Sequence, residues 1–161
     1  MTTSDDVREQ VLSSFRGATD RRFEEAVKDF PAEFMNAKPP NVDYTPWQLL
    51  EHLRISQLDI LEYVRNPDYK SPPWPDGYWP AKGATADTAA WAASVERFRA
   101  DRQAIEALAG DPKTDLLAPM PHTPGHTLLR EVLLDAGHSS YHLGEFGILR
   151  QVMLTWPPGH K

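Results

Sequence analysis

A chain of 161 residues, 40% of them apolar and 25% charged, can bury one substantial core, and no polar linker divides it, so a single domain spanning 1–161 is expected. Its 23 Asp and Glu outnumber 17 Lys and Arg for a net charge of -6, which disfavours nucleic acid and anionic membranes as partners, and with no leader-like or ~20-residue apolar run a cytoplasmic protein is expected. Cysteine is absent, which excludes disulfide scaffolds, thiolate metal sites and a cysteine nucleophile, so any thiol chemistry needs a thiol from outside the chain.

Proline inside a helix costs about 3 kcal/mol or more. The 15 prolines fall within 31–46, 67–80, 112–124 and 157–158, which leaves four long windows for helices. In the first, over about 5–29, Val7, Val11, Phe15 and Ala18 and then Phe23, Ala26 and Val27 recur at three- and four-residue steps. The second, over 46–65, opens with Thr45 as N-cap, Pro46 in the first helical position and Gln48 as the reciprocal partner of a capping box. Leu49, Leu50, Leu53, Ile60, Leu61 and Val64 form its apolar face, and Asn66-Pro67 ends it.

The joint that follows, 66–86, is too long for a tight hairpin and predicts a crossover that lets the second and third helices run parallel. Trp74, Tyr78 and Trp79 are expected to pin it to the bundle, the other reading being a lid over a site. A third helix over 87–109 shows Trp91, Val95, Phe98, Ile105 and Leu108 before Gly110-Asp111-Pro112 stops it. The fourth, over 127–154, contains Gly137, Gly144 and Gly147, which predict close approach by a neighbouring helix. No period-2 run appears, so no strand is predicted and the fold class is an all-α four-helix bundle.

His138 and His142 stand four residues apart in the fourth helix, a step that rotates ~40° and rises ~6 Å, so both imidazoles share one face. His122 and His126 repeat the spacing, but Thr123-Pro124-Gly125 between them forbids a helix and assigns them to a loop. His52, in the middle of the second helix, supplies a third imidazole that a bundle can bring opposite the pair. Three neutral imidazoles suit zinc, nickel, copper or iron and leave a coordination position for water or substrate. Glu131, Asp135 and Glu145 lie within ~60° of His138 around the helix, as partners for a ligating ring or as a fourth ligand. The plainer alternative makes His52 a hydrogen-bonded structural residue and the acids a solvated face. A zincin needs Glu where Ser139 stands, and a di-iron bundle needs repeated Glu-x-x-His, which only Asp135-Ala136-Gly137-His138 approaches.

Trp47-Gln48-Leu49-Leu50-Glu51-His52-Leu53, followed by Thr127-Leu128-Leu129-Arg130-Glu131 and by His138-Ser139-Ser140-Tyr141-His142-Leu143-Gly144-Glu145, resembles the DinB-like (DinB/YfiT) superfamily over nearly the whole chain. The resemblance implies an up-down-down-up bundle, one divalent ion, nickel or zinc, on His52, His138 and His142, and a homodimer. It also implies a reaction class, because relatives include transferases and isomerases that use low-molecular-weight thiols such as bacillithiol or mycothiol, and metal-dependent hydrolases. Many members carry Gln where this chain has Glu145, which adds a negative charge beside the ion. The expected function is a metal-dependent enzyme that activates a small thiol or water for transfer to a small electrophilic substrate. Glu145 or Asp135 is the catalytic candidate that orients a ligand or moves a proton. The rival expectations are a non-catalytic metal-binding or stress-related protein and a structural dimeric bundle without metal.

Overall fold

Four helical arms form, the first of them in two pieces. The computed structural model describes residues 3–160, with side chains from Asp5 onward apart from that of Ala18. Its helices are α1 Thr3–Phe15, α2 Ala18–Val27, α3 Pro46–Arg65, α4 Thr88–Gly110 and α5 Leu128–Val152, with β1 Pro119–Met120 and β2 Thr123–Thr127 before the last. The sequence predicts one helix over about 5–29, but the chain breaks at Gly17, whose φ of 87° lies in the left-handed region that glycine enters without a steric penalty. Among the described residues no helix is long and apolar enough to cross a membrane.

The helix starts follow their local chemistry. Thr45 Oγ1 accepts the Gln48 amide at 3.2 Å and Gln48 Oε1 accepts that of Thr45 at 2.9 Å, so the predicted capping box opens α3. Asp87 caps α4 through the Ala90 amide at 2.7 Å, and Thr127 caps α5 through that of Arg130 at 3.2 Å.

Two expectations fail here. Thr123-Pro124-Gly125 does exclude a helix, yet the segment pairs with Pro119–Met120 as an antiparallel hairpin, too short and irregular in register for an alternating pattern to reveal. His126 therefore lies on β2 and His122 in the turn before it. Gly137, Gly144 and Gly147 do not mark a helix contact: among the described residues nothing beyond the helix's own backbone lies within 4 Å of a Cβ built on any of the three.

Contacts fix the direction of each arm. Arg16 pairs with Glu106, Glu24 with Arg99, and Phe23 stacks on Phe98, so the first arm runs antiparallel to α4. Glu51 meets Ser94 and Gln57 Nε2 donates to the Phe98 carbonyl, so α3 and α4 are parallel. His52 faces His138 and His142 while Tyr63 meets His126, so α3 and α5 are antiparallel. The order is up-down-down-up, and 66–86 makes the long crossover between the parallel pair.

The core has two apolar clusters. One is built on Phe23, Phe30, Leu50, Trp91, Phe98 and Phe146, the other on Val11, Phe15, Leu61, Ile105, Leu116 and Val132. At the junction each arm contributes buried polar side chains: Thr19 from the first, Ser56 and Gln57 from α3, Arg102 from α4, and Asp135 and Ser139 from α5. Arg102 lies over the rings of Phe15 and Phe98, 5.1 and 5.6 Å from their centroids, and reaches Asp20 at 2.9 Å.

A second buried arginine closes the far end. Arg150 donates to the carbonyls of Glu25 and Lys28 at 2.8 Å, Ala26 at 3.2 Å and Thr155 at 2.6 Å, and its guanidinium rests 4.3 Å from the Trp156 ring centroid. It thereby satisfies the orphan acceptors at the end of α2 and ties them to the chain beyond α5. Arg150→Met keeps similar bulk but strands these acceptors, each worth about 1–3 kcal/mol when buried, so we expect a loss of roughly 3 kcal/mol or more in urea unfolding. A loss below about 1 kcal/mol would mean that water replaces the guanidinium.

Candidate metal centre

The antiparallel run of α3 and α5 carries three imidazoles to one level. His52 is buried at 2% exposure, while His138 and His142 are half-buried on α5. The Nε2 atom of His52 lies 3.1 Å from Nε2 of His142 and 3.2 Å from Nε2 of His138. Among the described residues, these three form the group of His, Asp or Glu side chains placed to share an ion.

Their outer nitrogens show which way the lone pairs point. His52 Nδ1 is 2.7 Å from the carbonyl oxygen of Tyr78, which only accepts, so the ring's hydrogen sits on Nδ1. His142 Nδ1 is 2.5 Å from Glu145 Oε2, which assigns its hydrogen in the same way. Two bare Nε2 lone pairs then face each other at 3.1 Å with no hydrogen to share. A cation between them resolves the conflict, and tetrahedral bonds of ~2.0–2.1 Å would separate ligand nitrogens by about 3.3 Å, close to what is found. The residues present fit a divalent ion.

Two of the rings, His138 and His52, also favour the neutral form that ligates. Burial pushes His138 down to about 4, with His142 and His52 acting in the same sense. Burial likewise lowers His52, opposed by its bond to the Tyr78 carbonyl.

The crossover builds the outer wall. Trp79 stacks on His52 with centroids 4.1 Å apart and planes 4° from parallel, and Tyr44 leans on Trp79 at 5.2 Å. The Tyr78 hydroxyl donates to Asp59 Oδ2 at 2.8 Å, which anchors the residue whose carbonyl holds His52. Gly77 is required by this turn, since a Cβ there would stand 2.5 Å from Cβ of Pro72. Tyr78 and Trp79 thus pin the loop as the sequence suggests, whereas Trp74 is 77% exposed. Trp79 also lines a groove of about 450 Å³ with Pro75, Pro80 and Lys82.

The three acidic candidates part company. Glu145 bonds His142 and also the phenol of Tyr44, which burial and then the Glu145 charge push up. Glu131 lies seven residues from His138, about 10 Å along the axis. It pairs with Arg130 and approaches His126 Nδ1 at 3.4 Å, beside a Tyr63 hydroxyl that bonds the same nitrogen at 2.8 Å. Asp135 is fully buried in the polar junction of the core. Among the described residues its carboxylate oxygens have no hydrogen-bond partner, and burial pushes the acid up to about 7 against the pull of Arg102. The length of 66–86 marks the crossover in the sequence, whereas nothing there signals Tyr44 or a backbone carbonyl as the partner of His52.

Asp135 generates a pH test. Its folded proton affinity of about 7 lies above the ordinary value of 3.8. As pH rises between these values the unfolded chain ionises and the folded one does not, so stability is full below about pH 4 and declines toward pH 7. Asp135→Asn removes that decline, and its stability relative to wild type in urea should rise across the window. Parallel pH profiles for the two proteins would show that Asp135 ionises normally when folded.

A search of curated proteins returns no match. The sequence model of the DinB superfamily matches residues 6–146, from within α1 through most of α5 and across all three histidines. By that match over most of its length, the chain belongs to the DinB superfamily.

Proposed function

We propose that the protein is a metal-dependent enzyme in which His52, His138 and His142 hold one divalent ion, nickel or zinc, and a small thiol or water is transferred to a small electrophile. The observation that supports this reading is the pair of hydrogen-bond acceptors, Tyr78 carbonyl and Glu145, that turn two bare Nε2 atoms toward each other. A divalent cation with three protein ligands keeps a position open and lowers the pKa of a thiol or water bound there. Glu145 keeps the His142 hydrogen on Nδ1, and its carboxylate is the group that receives the proton the nucleophile loses. Asp135, three residues from His138 and turned inward, is the second acceptor. Trp79 covers one face of His52 and excludes water from it. The chain has no cysteine, so the thiol is a low-molecular-weight cosubstrate, and a cytoplasmic location suits a reaction that needs it reduced.

A second reading, metal binding without turnover, is favoured by the closure around His52, which is 2% exposed. Titrating small thiols into the cobalt-substituted protein separates the two. A change in the visible spectrum supports activation of a thiol, and an unchanged spectrum supports storage or stabilisation.

Elemental analysis should find one divalent ion per chain, lost in His52→Ala, His138→Ala and His142→Ala. Glu145→Ala should weaken metal affinity about 10–100-fold with the fold intact, as loss of a ring's hydrogen-bond partner does elsewhere. Equal affinity in this variant would remove Glu145 from the centre. Because protons compete for the same nitrogens, affinity should fall below about pH 6.5 and steepen toward the pH of about 4 at which His138 takes up its own. Equilibrium dialysis across pH 8 to 4 reads this directly, and a flat profile would count against histidine ligands.

A further inference from the structure

The two outer hydrogen-bond partners of the centre are not equally secured. The Tyr78 carbonyl belongs to the backbone and is anchored through the Tyr78 hydroxyl on Asp59. Glu145 is a flexible side chain on α5, 29% exposed, and it meets His142 across an (i, i+3) step. Pairs at that spacing on a helix hold weakly, because water competes for the carboxylate and the side chain gives up rotamer freedom to make them. Keeping a carboxylate oxygen on Nδ1 of His142 calls for a second restraint.

Tyr44 supplies it. The residue stands immediately before the Thr45 cap, so the capping box that starts α3 fixes its backbone, and the Trp47 amide bonds the Met35 carbonyl at 3.0 Å in the same turn. Its half-buried ring leans on Trp79 with centroids 5.2 Å apart, and Trp79 lies flat on His52. Its hydroxyl is bonded to Glu145. A carboxylate only accepts, so the phenol donates, and a bond from a hydroxyl to a carboxylate is among the stronger ones. Burial and then the Glu145 charge push the phenol up, so it keeps the hydrogen it donates. One side chain thereby touches the outer support of both helices: the indole that covers His52 on α3, and the carboxylate that orients His142 on α5.

We propose that Tyr44 is a positioning residue of the metal centre that acts through Glu145: its hydroxyl fixes the carboxylate that holds the His142 hydrogen on Nδ1, and so keeps Nε2 of that ring free to ligate. The inference rests on His52, His138 and His142 as the ligand set.

Tyr44→Phe keeps the ring on Trp79 and removes only the hydroxyl, so the melting temperature and the helical circular dichroism should stay as in wild type. Zinc affinity, read by competition with a chromophoric chelator, should fall roughly three- to tenfold, within the about 10–100-fold expected on removing Glu145 itself. In the Glu145→Ala background the same substitution should change nothing, since a residue that acts through another has no effect once that one is gone. An unchanged affinity in Tyr44→Phe, or a loss of the same size in both backgrounds, would overturn the proposal. The metal-free protein gives a second reading: nitrogen NMR of isotope-labelled histidine should place the His142 hydrogen on Nδ1 in wild type and show a mixture of tautomers in Tyr44→Phe. An Nδ1 tautomer retained in that variant would likewise overturn it. A wild-type chain that takes up no zinc would refute the ligand set, and the tautomer measurement would still decide the role of Tyr44.

Discussion

A neutral imidazole carries a single N–H, and fixing that hydrogen on one nitrogen commits the other to accept. In this protein the commitment is made twice, by the Tyr78 carbonyl on His52 and by Glu145 on His142, and much of the surrounding structure serves it. A backbone carbonyl can reach His52 only if the crossover folds back onto α3. That folding draws on Asp59 for the Tyr78 hydroxyl, on Gly77 for the tight turn and on Trp79 for the stacked face. The up-down-down-up order is part of the same requirement, because two adjacent parallel helices must be joined by a connection long enough to carry such a wall.

The arms that position the rings do not form a uniformly apolar core. Arg102, Gln57 and Asp135 occupy the middle of the bundle at 5% exposure or less. A buried carboxylate without partners costs stability at neutral pH, and acids perturbed in this way concentrate at reactive sites. Asp135 stands about one helical turn from His138, so the cost falls beside the imidazoles and not at a remote point of the fold.

Much of this was legible in the residues. Thr45, Pro46 and Gln48 specify their helix start through bonds within four residues, and proline placement bounds the arms for equally local reasons. The His138 and His142 spacing is a property of one helix, and only the meeting with His52 needed tertiary contact. What stayed hidden depends on distance along an axis or on direction around it. Glu131 shares the angular face of His138 but lies about 10 Å away, and Asp135 is rotated about 60° toward the interior. The break at Gly17 was masked because the apolar period continues on both sides of it. The glycines of α5 suggest contacts within the chain because glycine lets helices approach, whereas their faces open outward.

The polar junction also divides the molecule mechanically. Buried polar side chains stand between the cluster around Phe15, Leu61 and Val132 and the cluster around Phe30, Trp91 and Phe146, a division along which the two halves can open separately. An ion held by His52 and His142 would stiffen the second unit by mass action and leave the hairpin end free to breathe. Slow amide exchange confined to one half of a single bundle is the outward sign of such a seam.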